Sequence, residues 1–367
     1  MFEIKGEKCT AICYATVCDE SAIEQIRRMC DYEFTEGSKI RIMPDVHYGR
    51  GCTIGTTMTI TDKVVPNIVG VDIGCGMYTV DLGKEPINLE KFDNAAHYIP
   101  SGRNIWDSRQ ERFDLTELRC FGELNDSRKI ERSIGTLGGG NHFIEIDQSS
   151  DGTNFLVIHS GSRNLGKQVE EYYQNLAIEI NRNYIESDIP DDICWLYGTY
   201  LEDYMHDVQI CQQFAKRNRE KIAEVLLKRT GLSAGESFHT IHNYIDTNEK
   251  ILRKGAIAAH EGEKVLIPIN MRDGSVLATG KGNPEWNYSA PHGAGRIMSR
   301  KEAKQELTLE EYQDAMKGIY TTTVNNRTID EAPMAYKSLE DIIDVIHESV
   351  DVIEVLKPIY NFKASDR

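Results

Sequence analysis

Residues 66–76 read PNIVGVDIGCG, and the rest of the chain is organised around this stretch. The apolar residues at its start predict a buried strand, and its glycines predict a tight turn at the end of that strand. Asp72 and Cys75 lie three residues apart in this turn, so that a carboxylate and a thiol can face one point. Because an isolated Asp-x-x-Cys pair is usually structural, its role depends on which other residues join it.

Four histidines further along the chain lie in comparably unusual settings. His142 follows three consecutive glycines, His159 ends an apolar strand, and His292 precedes Gly-Ala-Gly. The fourth is His242, and the sequence alone does not decide between it and the nearby His239 as a metal ligand. Cysteine, aspartate and histidine together form the ligand set of a transition metal such as zinc, manganese or iron.

Five of these side chains can be taken as metal ligands, which is one more than a closed tetrahedral site needs. A Cys75 thiolate shared between two metal ions accounts for the excess. Two metal ions roughly 3.5–4 Å apart suit phosphoryl chemistry, because they stabilise both the attacking and the leaving oxygen. The ligands in this interpretation are Asp72, Cys75, His142, His159 and His242.

His292 remains outside this ligand set. A neutral imidazole beside two cations and a phosphate is a good nucleophile towards phosphorus, provided that an acceptor fixes its tautomer. Asp45 is the candidate acceptor, in a segment (residues 44–51) that is predicted to be a loop at a strand end. The alternative is that His292 is a sixth metal ligand. Glycines 138–140 can cradle phosphate with their backbone N–H groups, although a flexible turn also explains them.

The composition restricts the class of protein. The chain has 42 Lys and Arg against 58 Asp and Glu, and its net charge of −16 argues against a simple cationic nucleic-acid-binding protein. Basic side chains gathered around one cleft, or bound metal ions, can still hold RNA in so acidic a protein. Nine irregularly spaced cysteines, no signal peptide and no apolar run of membrane-spanning length predict a reduced, cytoplasmic protein.

The order of the predicted elements indicates an α+β fold in a single domain, residues 1–367. The first eighty residues read as mostly β, a helical insertion lies near 166–230, and strands followed by helices complete the chain. The last two helices are predicted over residues 309–317 and 339–356.

Seven motifs together resemble the RtcB family of RNA-splicing ligases. They occur in the order of the family, from near residue 40 to the C-terminus, and therefore cover most of the chain. The motifs are residues 44–47 (PDVH), 70–76 (GVDIGCG), 138–145 (GGGNHFIE), 159–163 (HSGSR), 242–244 (HNY), 292–296 (HGAGR) and 330–337 (DEAPMAYK).

The resemblance implies a GTP- and manganese-dependent RNA ligase whose mixed sheets and flanking helices surround a central cleft with two metal ions. Such enzymes join an RNA end bearing a 2′,3′-cyclic phosphate or 3′-phosphate to a 5′-hydroxyl end, in RNA repair or tRNA splicing. His292 would be guanylylated by GTP and would pass GMP to the RNA 3′-phosphate. The 5′-hydroxyl would then displace GMP from the RNA-3′-pp-5′-G intermediate.

The family's functional residues map onto positions of this sequence. One manganese would be held by Cys75, His159 and His242, and the other by Asp72, Cys75 and His142. Glu145 and Lys363 would read the guanine edge, and Tyr336 would lie against the base. The whole nucleotide-binding set would be Asn141, Phe143, Glu145, Asn243, Asn270, Met271, Ser275, Gly293, Ala294, Gly295, Arg296, Tyr336 and Lys363.

Basic residues in or beside the motifs are candidates for RNA contact. They are Arg41, Arg50 and Arg163, with Arg253, Lys254, Arg296 and Arg300 as further candidates.

The sequence also departs from the family. Residues 268–272 read PINMR where relatives commonly have PGSMG, and Arg272 can therefore add a phosphate contact. Two other functions stay open: a dinuclear metal-dependent cyclic phosphodiesterase, which needs no His292, and a non-enzymatic RNA-binding member of the family. Among partners, the resemblance allows an archease-type activator, and we expect a monomer or weak homo-oligomer that does not associate with membranes.

Overall fold

The structure is a computed structural model that describes residues 1–185 and 188–364, and its α+β class agrees with the prediction. The strands are β1 (Phe2–Lys5), β2 (Thr10–Cys13), β3 (Ile40–His47), β4 (Ile54–Thr59), β5 (Lys63–Val64), β6 (Gly76–Gly83), β7 (Phe143–Gln148), β8 (Asn154–Ser160), β9 (Leu196–Tyr197), β10 (Ser237–Ile241), β11 (Asn243–Asp246), β12 (Ile251–Lys254), β13 (Ala256–Ala258), β14 (Lys264–Asn270), β15 (Gly274–Gly280), β16 (Ser289–Pro291) and β17 (Val350–Lys363). The α-helices are α1 (Glu20–Met29), α2 (Pro66–Val69), α3 (Leu89–Tyr98), α4 (Ser127–Glu131), α5 (Arg163–Tyr184), α6 (Gly198–Thr230), α7 (Arg300–Glu306), α8 (Leu309–Ala315) and α9 (Leu339–Ile346).

Two large sheets organise the molecule. A seven-stranded sheet has the order β10-β6-β8-β7-β17-β15-β14, and every neighbouring pair in it is antiparallel. A six-stranded sheet has the order β1-β2-β3-β4-β12-β11, in which only β2 and β3 pair in parallel. Because strands distant in sequence are neighbours in both sheets, segments from the whole chain meet along their edges.

The long helices α5 and α6 pack against each other, and α6 also packs against both sheets. Their buried side chains, such as Val169 and Tyr173 on α5 and Tyr204 and Phe214 on α6, belong to the largest apolar cluster of the core. Among the described helices, none is both long enough and apolar enough to cross a membrane.

Residues 66–69 are buried as predicted, but they form the short helix α2 rather than a strand. Pro66 occupies the start of the helix, where its fixed φ fits and its missing N–H costs no hydrogen bond. Gly70 ends the helix with a φ of 90°, a left-handed value that glycine adopts without strain.

The predicted loop at residues 44–51 is partly wrong, since Pro44–His47 belong to β3 and only the residues after them leave the sheet. Its pairing with β4 shifts register between Ile42 and His47, and such an irregularity accommodates a proline within a strand.

The helix predicted over residues 339–356 is wrong in its second half. Helix α9 ends at Ile346, and β17 begins at Val350. The apolar spacing of this segment fits a helix, but the β-branched Val350, Val352 and Ile353 favour a strand, and pairing with β15 on one side and β7 on the other fixes the strand.

Candidate functional site

Four of the five predicted ligands flank the ends of strands in the seven-stranded sheet. Cys75 immediately precedes β6, His159 lies near the end of β8, His142 precedes β7 and His242 follows β10. The register places Gly76 opposite Ser160 and opposite Ile241, and it places Phe143 opposite His159. Antiparallel pairing therefore brings these four side chains to one end of the sheet.

The thiol of Cys75 lies at the centre of the cluster. Its Sγ is 3.5 Å from His142 Nε2 and 3.3 Å from His159 Nε2, and these three ligand atoms lie within 4.8 Å of one another. Asp72 Oδ2 is 3.0 Å from His142 Nε2 on one side, and His242 Nε2 is 3.4 Å from His159 Nε2 on the other. These contacts link the five side chains in the order Asp72, His142, Cys75, His159 and His242, with the thiol in the middle.

Backbone carbonyls fix the orientation of two imidazoles. His142 Nδ1 is 2.8 Å from the Leu137 carbonyl, and His159 Nδ1 is 3.1 Å from that of Asn141, so that each ring donates from Nδ1 and turns Nε2 towards the cluster. Burial, reinforced by neighbouring histidines, holds the pKa of His159 and of His242 well below the ordinary value, and both rings are neutral. A cysteine, an aspartate and histidines that face one another fit a borderline transition metal, so the donor set passes this chemical test.

Asp72 remains ionised although it lies in the cluster. Burial acts to raise the pKa of Asp72, but the hydrogen bond and charge of His142 outweigh it and lower the value to about 2. The backbone N–H of Ser162 donates to Asp72 Oδ1 at 3.0 Å. A side chain at Gly161 would overlap the carboxylate, which explains why a glycine stands there.

His292 lies beside the cluster and is bonded as predicted. Its Nδ1 is 2.7 Å from Asp45 Oδ2, and the same oxygen accepts from the His292 backbone N–H at 3.1 Å. Asp45 is fully buried in β3, whereas the His292 side chain is 19% exposed. The ring packs edge-on against His242, with 5.0 Å between the ring centres. Asp45 therefore holds one nitrogen of His292 and leaves Nε2 available for chemistry.

A pocket of about 280 Å³ adjoins His292, His242 and His159. Its far wall contains Lys363, whose Nζ donates at 2.8 Å both to Glu331 and to the Asn141 carbonyl. Most residues of the predicted nucleotide set line this pocket: Asn141, Phe143, Glu145, Asn243, Asn270, Met271, Gly293, Ala294, Gly295, Arg296, Tyr336 and Lys363.

Glu145 and the wall behind it are deeply buried. Asn361 Nδ2 donates to Glu145 Oε2 at 2.5 Å, and burial raises the pKa of Glu145. Ser275 is the one member of the predicted set that does not line the pocket, and its buried Oγ has no hydrogen-bond partner among the described residues.

The family model of the tRNA-splicing ligase RtcB matches residues 25–121 and 121–364 of this chain. The chain belongs to the RtcB family. It is 31% identical to the RNA-splicing ligase RtcB of Escherichia coli K12 over 363 aligned residues, which cover 87% of this chain and 88% of that protein. It is 29% identical to the tRNA-splicing ligase RtcB of Aeropyrum pernix, with 83% of each chain covered, and 28% identical to the RNA-splicing ligase RtcB of Mycobacterium tuberculosis.

Two residues of this RtcB-family chain support the loops that carry the candidate metal ligands, and they were not predicted from the sequence. Asn218 on α6 accepts from the backbone N–H groups of Gly135 and Thr136 at 2.8 and 3.0 Å, and its Nδ2 donates to the Gly161 carbonyl at 3.0 Å. The adjacent Arg219 donates from Nη1 to the carbonyls of Gly74 at 2.7 Å and of Ser160 at 2.8 Å.

Asn218 and Arg219 thus connect one helix to three of the four segments that carry predicted ligands, namely those next to Cys75, before His142 and after His159. Both are fully buried. The available signal was that Asn218 continues the apolar stripe of α6, four residues after Phe214, where a polar residue has to have buried partners.

The predicted RNA-contacting residues of this RtcB-family chain lie in different places. Arg163 donates to the carbonyl of Gly102 at 2.9 Å and to Thr136 at 3.2 Å. Arg41 is bonded to Glu285, and Arg50 is exposed beside a second cavity. Of the further candidates, Arg296 and Arg300 line the pocket, whereas Arg253 and Lys254 are buried with internal hydrogen bonds.

Arg272 lies in the segment where the sequence departs from the family. Its side chain contacts the adjacent Asp273 and does not line the pocket. Its guanidinium donates to both carboxylate oxygens of Asp273 at 2.8 and 3.0 Å. Asn270 and Met271 of the same segment do line the pocket, so this divergent loop still forms part of the wall.

Proposed function

We propose that this protein is an RNA ligase that joins a 2′,3′-cyclic-phosphate or 3′-phosphate RNA end to a 5′-hydroxyl end, with GTP and two manganese ions. The observation that carries this proposal is the placement of His292. Its ring lies between a Cys/His/Asp cluster and a pocket large enough for a nucleotide, and Asp45 holds the nitrogen that does not react.

His292 acts as the nucleophile in the first step. With Nδ1–H donated to Asp45, the lone pair of Nε2 attacks the α-phosphorus of GTP, a phosphorus–nitrogen bond forms, and pyrophosphate leaves. Asp45 stabilises the positive charge that develops on the ring, as a buried carboxylate does behind a catalytic histidine. Water first opens a 2′,3′-cyclic phosphate to a 3′-phosphate by breaking the bond from phosphorus to the 2′ oxygen. An oxygen of the 3′-phosphate then attacks the same phosphorus as His292 did and releases His292. The 5′-hydroxyl finally attacks the 3′-phosphorus and displaces GMP.

The resemblance to the RtcB family supplies the assignment of the metal ligands. Cys75, His159 and His242 would hold one manganese, and Asp72, Cys75 and His142 the other. When bound, two such cations neutralise phosphate charge and polarise phosphoryl oxygens. The protein's contribution is to orient His142 and His159, to keep His159 and His242 neutral, and to keep Asp72 ionised.

Glu145 and Lys363 give the pocket its preference for guanine. The guanine edge offers donors at N1 and N2 and an acceptor at O6, so a carboxylate and an ammonium group complement it. Adenine, with a donor at N6 and an acceptor at N1, would leave both groups unpaired. Phe143 lies 5.5 Å from Lys363 Nζ and Tyr336 lines the same pocket, so both offer surfaces for the base.

RNA phosphates are expected to follow the basic residues that reach the pocket. Arg296 and Arg300 lie there, and Arg163 is held against the loop before His142. Several features remain predictions. They are RNA contacts by Arg41 and Arg50, a single domain over residues 1–367, an archease-type activator, a monomeric or weakly associated state, and a cytoplasmic location.

Intact-protein mass spectrometry after incubation with GTP and manganese tests the proposal. We expect the wild-type protein to gain the mass of one GMP, His292→Ala to gain none, and the control His347→Ala, which changes an exposed histidine, to behave as wild type.

A folded wild-type protein with metal bound but no adduct would contradict autonomous ligation. In that case, hydrolysis of a cyclic-phosphate RNA end that persists in His292→Ala would identify the protein as a phosphodiesterase. RNA binding without adduct or hydrolysis would identify a non-enzymatic member.

A further inference from the structure

A second cavity, of about 190 Å³, lies between α2 and α5 and is separate from the pocket at His292. Glu170 and Gln174 of α5, Asn67 of α2 and Asp192 are among the residues that line it. None of the metal ligands or nucleotide-binding residues assigned above belongs to its wall. Eight of the nine residues that line it are polar or charged, and Ile178 is the exception.

Glu170 is the unexplained group in this cavity. Its side chain is 1% exposed, yet neither carboxylate oxygen has a hydrogen-bond partner in the part of the chain that the structure describes. A buried carboxylate without a partner costs several kcal/mol, so proteins normally satisfy it with a donor or a cation. The two bare oxygens therefore indicate that something binds to them.

Asn67 contributes a third buried oxygen that has no hydrogen-bond partner among the described residues. Its Nδ2 donates to the Asp192 carbonyl at 2.9 Å and its backbone N–H donates to Gln174 Oε1 at 3.0 Å. The bond from Nδ2 fixes the direction of the side-chain amide, and Asn67 Oδ1 is left buried without a partner within residues 1–185 and 188–364. Glu170 of α5 and Asn67 of α2 thus contribute three buried acceptor oxygens without partners to the lining of one cavity.

The charges around the cavity favour a cation. Its wall carries four carboxylates and one basic side chain, Arg50. Three of those carboxylates already have partners elsewhere: Glu171 has Lys167, Asp191 has Arg182, and Asp192 has Arg28.

Lys254, the nearest other cation, donates its Nζ hydrogens to the carbonyls of Arg50 and Asn67 rather than to Glu170. The charge of Glu170 is therefore the one that no side chain in the described residues pairs with.

We propose that Glu170 and Asn67 form a second cation site, which binds a partly hydrated Mg²⁺ or Ca²⁺. Carboxylate and amide oxygens are the ligands of these hard cations, in contrast to the thiol and imidazoles of the catalytic cluster. At about 30 Å³ for each water, the cavity has room for an ion together with several of the waters that such ions retain.

The position of this site gives it a consequence for the catalytic cluster. Helix α2 leads directly into the loop with Asp72 and Cys75, and α5 begins directly after His159 and Ser162. A cation held between Asn67 and Glu170 would therefore connect the two segments behind the cluster. We expect it to stabilise their relative position without contacting a substrate.

Equilibrium dialysis against Ca²⁺, followed by elemental analysis, tests the site in the full chain whose catalytic cluster is saturated with Mn²⁺. We expect one Ca²⁺ per wild-type chain, none in Glu170→Gln, and one in the matched control Glu179→Gln, which changes an exposed glutamate of the same helix. Manganese content should be the same in all three proteins. Calcium should also raise the thermal unfolding temperature of the wild type and the control, but not that of Glu170→Gln.

Equal calcium binding in the wild type and Glu170→Gln would overturn the proposal, and so would no calcium or magnesium binding by the wild type. If Glu170→Gln fails to fold, anomalous diffraction from wild-type crystals soaked with Tb³⁺, a hard cation with oxygen ligands, decides the question. A peak between Glu170 and Asn67 supports the site, and peaks only elsewhere refute it.

Discussion

The metal cluster and the far wall of the neighbouring pocket are each stabilised by a different kind of interaction. In the cluster, backbone carbonyls orient His142 and His159, and Asn218 and Arg219 hold the loops. In the pocket wall the groups are charged side chains that pair with one another.

Glu331 is the centre of that wall. It lies 2.8 Å from Lys363, 2.7 Å from Arg300 and 3.4 Å from Arg296, and it accepts from the Tyr336 hydroxyl at 2.8 Å. Backbone carbonyls cannot leave their histidines without unfolding a loop, whereas ion-paired side chains can exchange one partner for a ligand. The cluster is therefore held rigidly, whereas the charged side chains of the wall can exchange partners.

We expect the largest effect from a substitution at Asp45, which lies where the two regions meet, and we expect it on the rate of guanylylation. Asp45→Asn keeps the size of the side chain but removes the charge that stabilises a cationic His292 ring. We expect guanylylation to slow by about 10²–10⁴-fold, with manganese binding unchanged. Quenched-flow mass spectrometry measures the rate, and Asp62→Asn, which changes an exposed aspartate, is the control. An unchanged rate would mean that Asp45 has no part in activating His292.

Glu331→Gln tests the ion-paired wall. Burial acts to raise the pKa of Glu331, but the charges of Lys363 and Arg300 outweigh it and lower the value to about 2. A carboxylate with a depressed pKa stabilises the fold above its unfolded pKa, near 4.5, and this stabilisation is lost as the pH falls towards 2. At neutral pH we expect Glu331→Gln to lower the free energy of unfolding by about 3 kcal/mol.

Urea unfolding between pH 7 and pH 3 measures this difference, which should shrink below pH 4.5 as the wild type loses its advantage. The control is Glu310→Gln on the exposed face of α8. A difference that stays constant over this pH range would show that the charge of Glu331 does not stabilise the wall.

We expect the smallest effect from a substitution at Arg219, which supports the loops of the metal cluster, and we expect it on manganese affinity. Arg219→Lys keeps the charge but removes the planar fork that donates to both Gly74 and Ser160. We expect manganese affinity to fall by about 10-fold, in the range typical of residues that orient ligands. The neighbouring Arg217→Lys, whose side chain pairs with Glu111, is the matched control. Equal affinities in the two variants would show that the carbonyl contacts of Arg219 do not support the site.

The sequence predicted the metal cluster better than the wall. Asp72, Cys75 and the histidines stand in glycine-rich segments whose side chains have few structural explanations, and the structure brings them together. The α+β class was likewise predicted from the order of elements and is confirmed.

What could not be predicted depends on contacts between distant segments. The strand conformation of β17 depends on its pairing with β7 and β15. The apolar sequence of α2 resembles that of a buried strand, although the segment folds as a short helix that ends at Gly70. Asn218 is an ordinary polar helix residue unless its buried partners are known. Local patterns describe single segments, whereas these features arise only when the segments meet.

The central position of β17 has a consequence for the synthesis of the protein. This strand lies between β7 and β15 and carries Lys363 at its end, yet it is translated after every other strand of its sheet. Until it emerges from the ribosome, β7 and β15 expose unpaired edges and the pocket lacks a wall. The pocket of the nascent chain is thus incomplete, and the open strand edges are a target for chaperones until translation of β17 is complete.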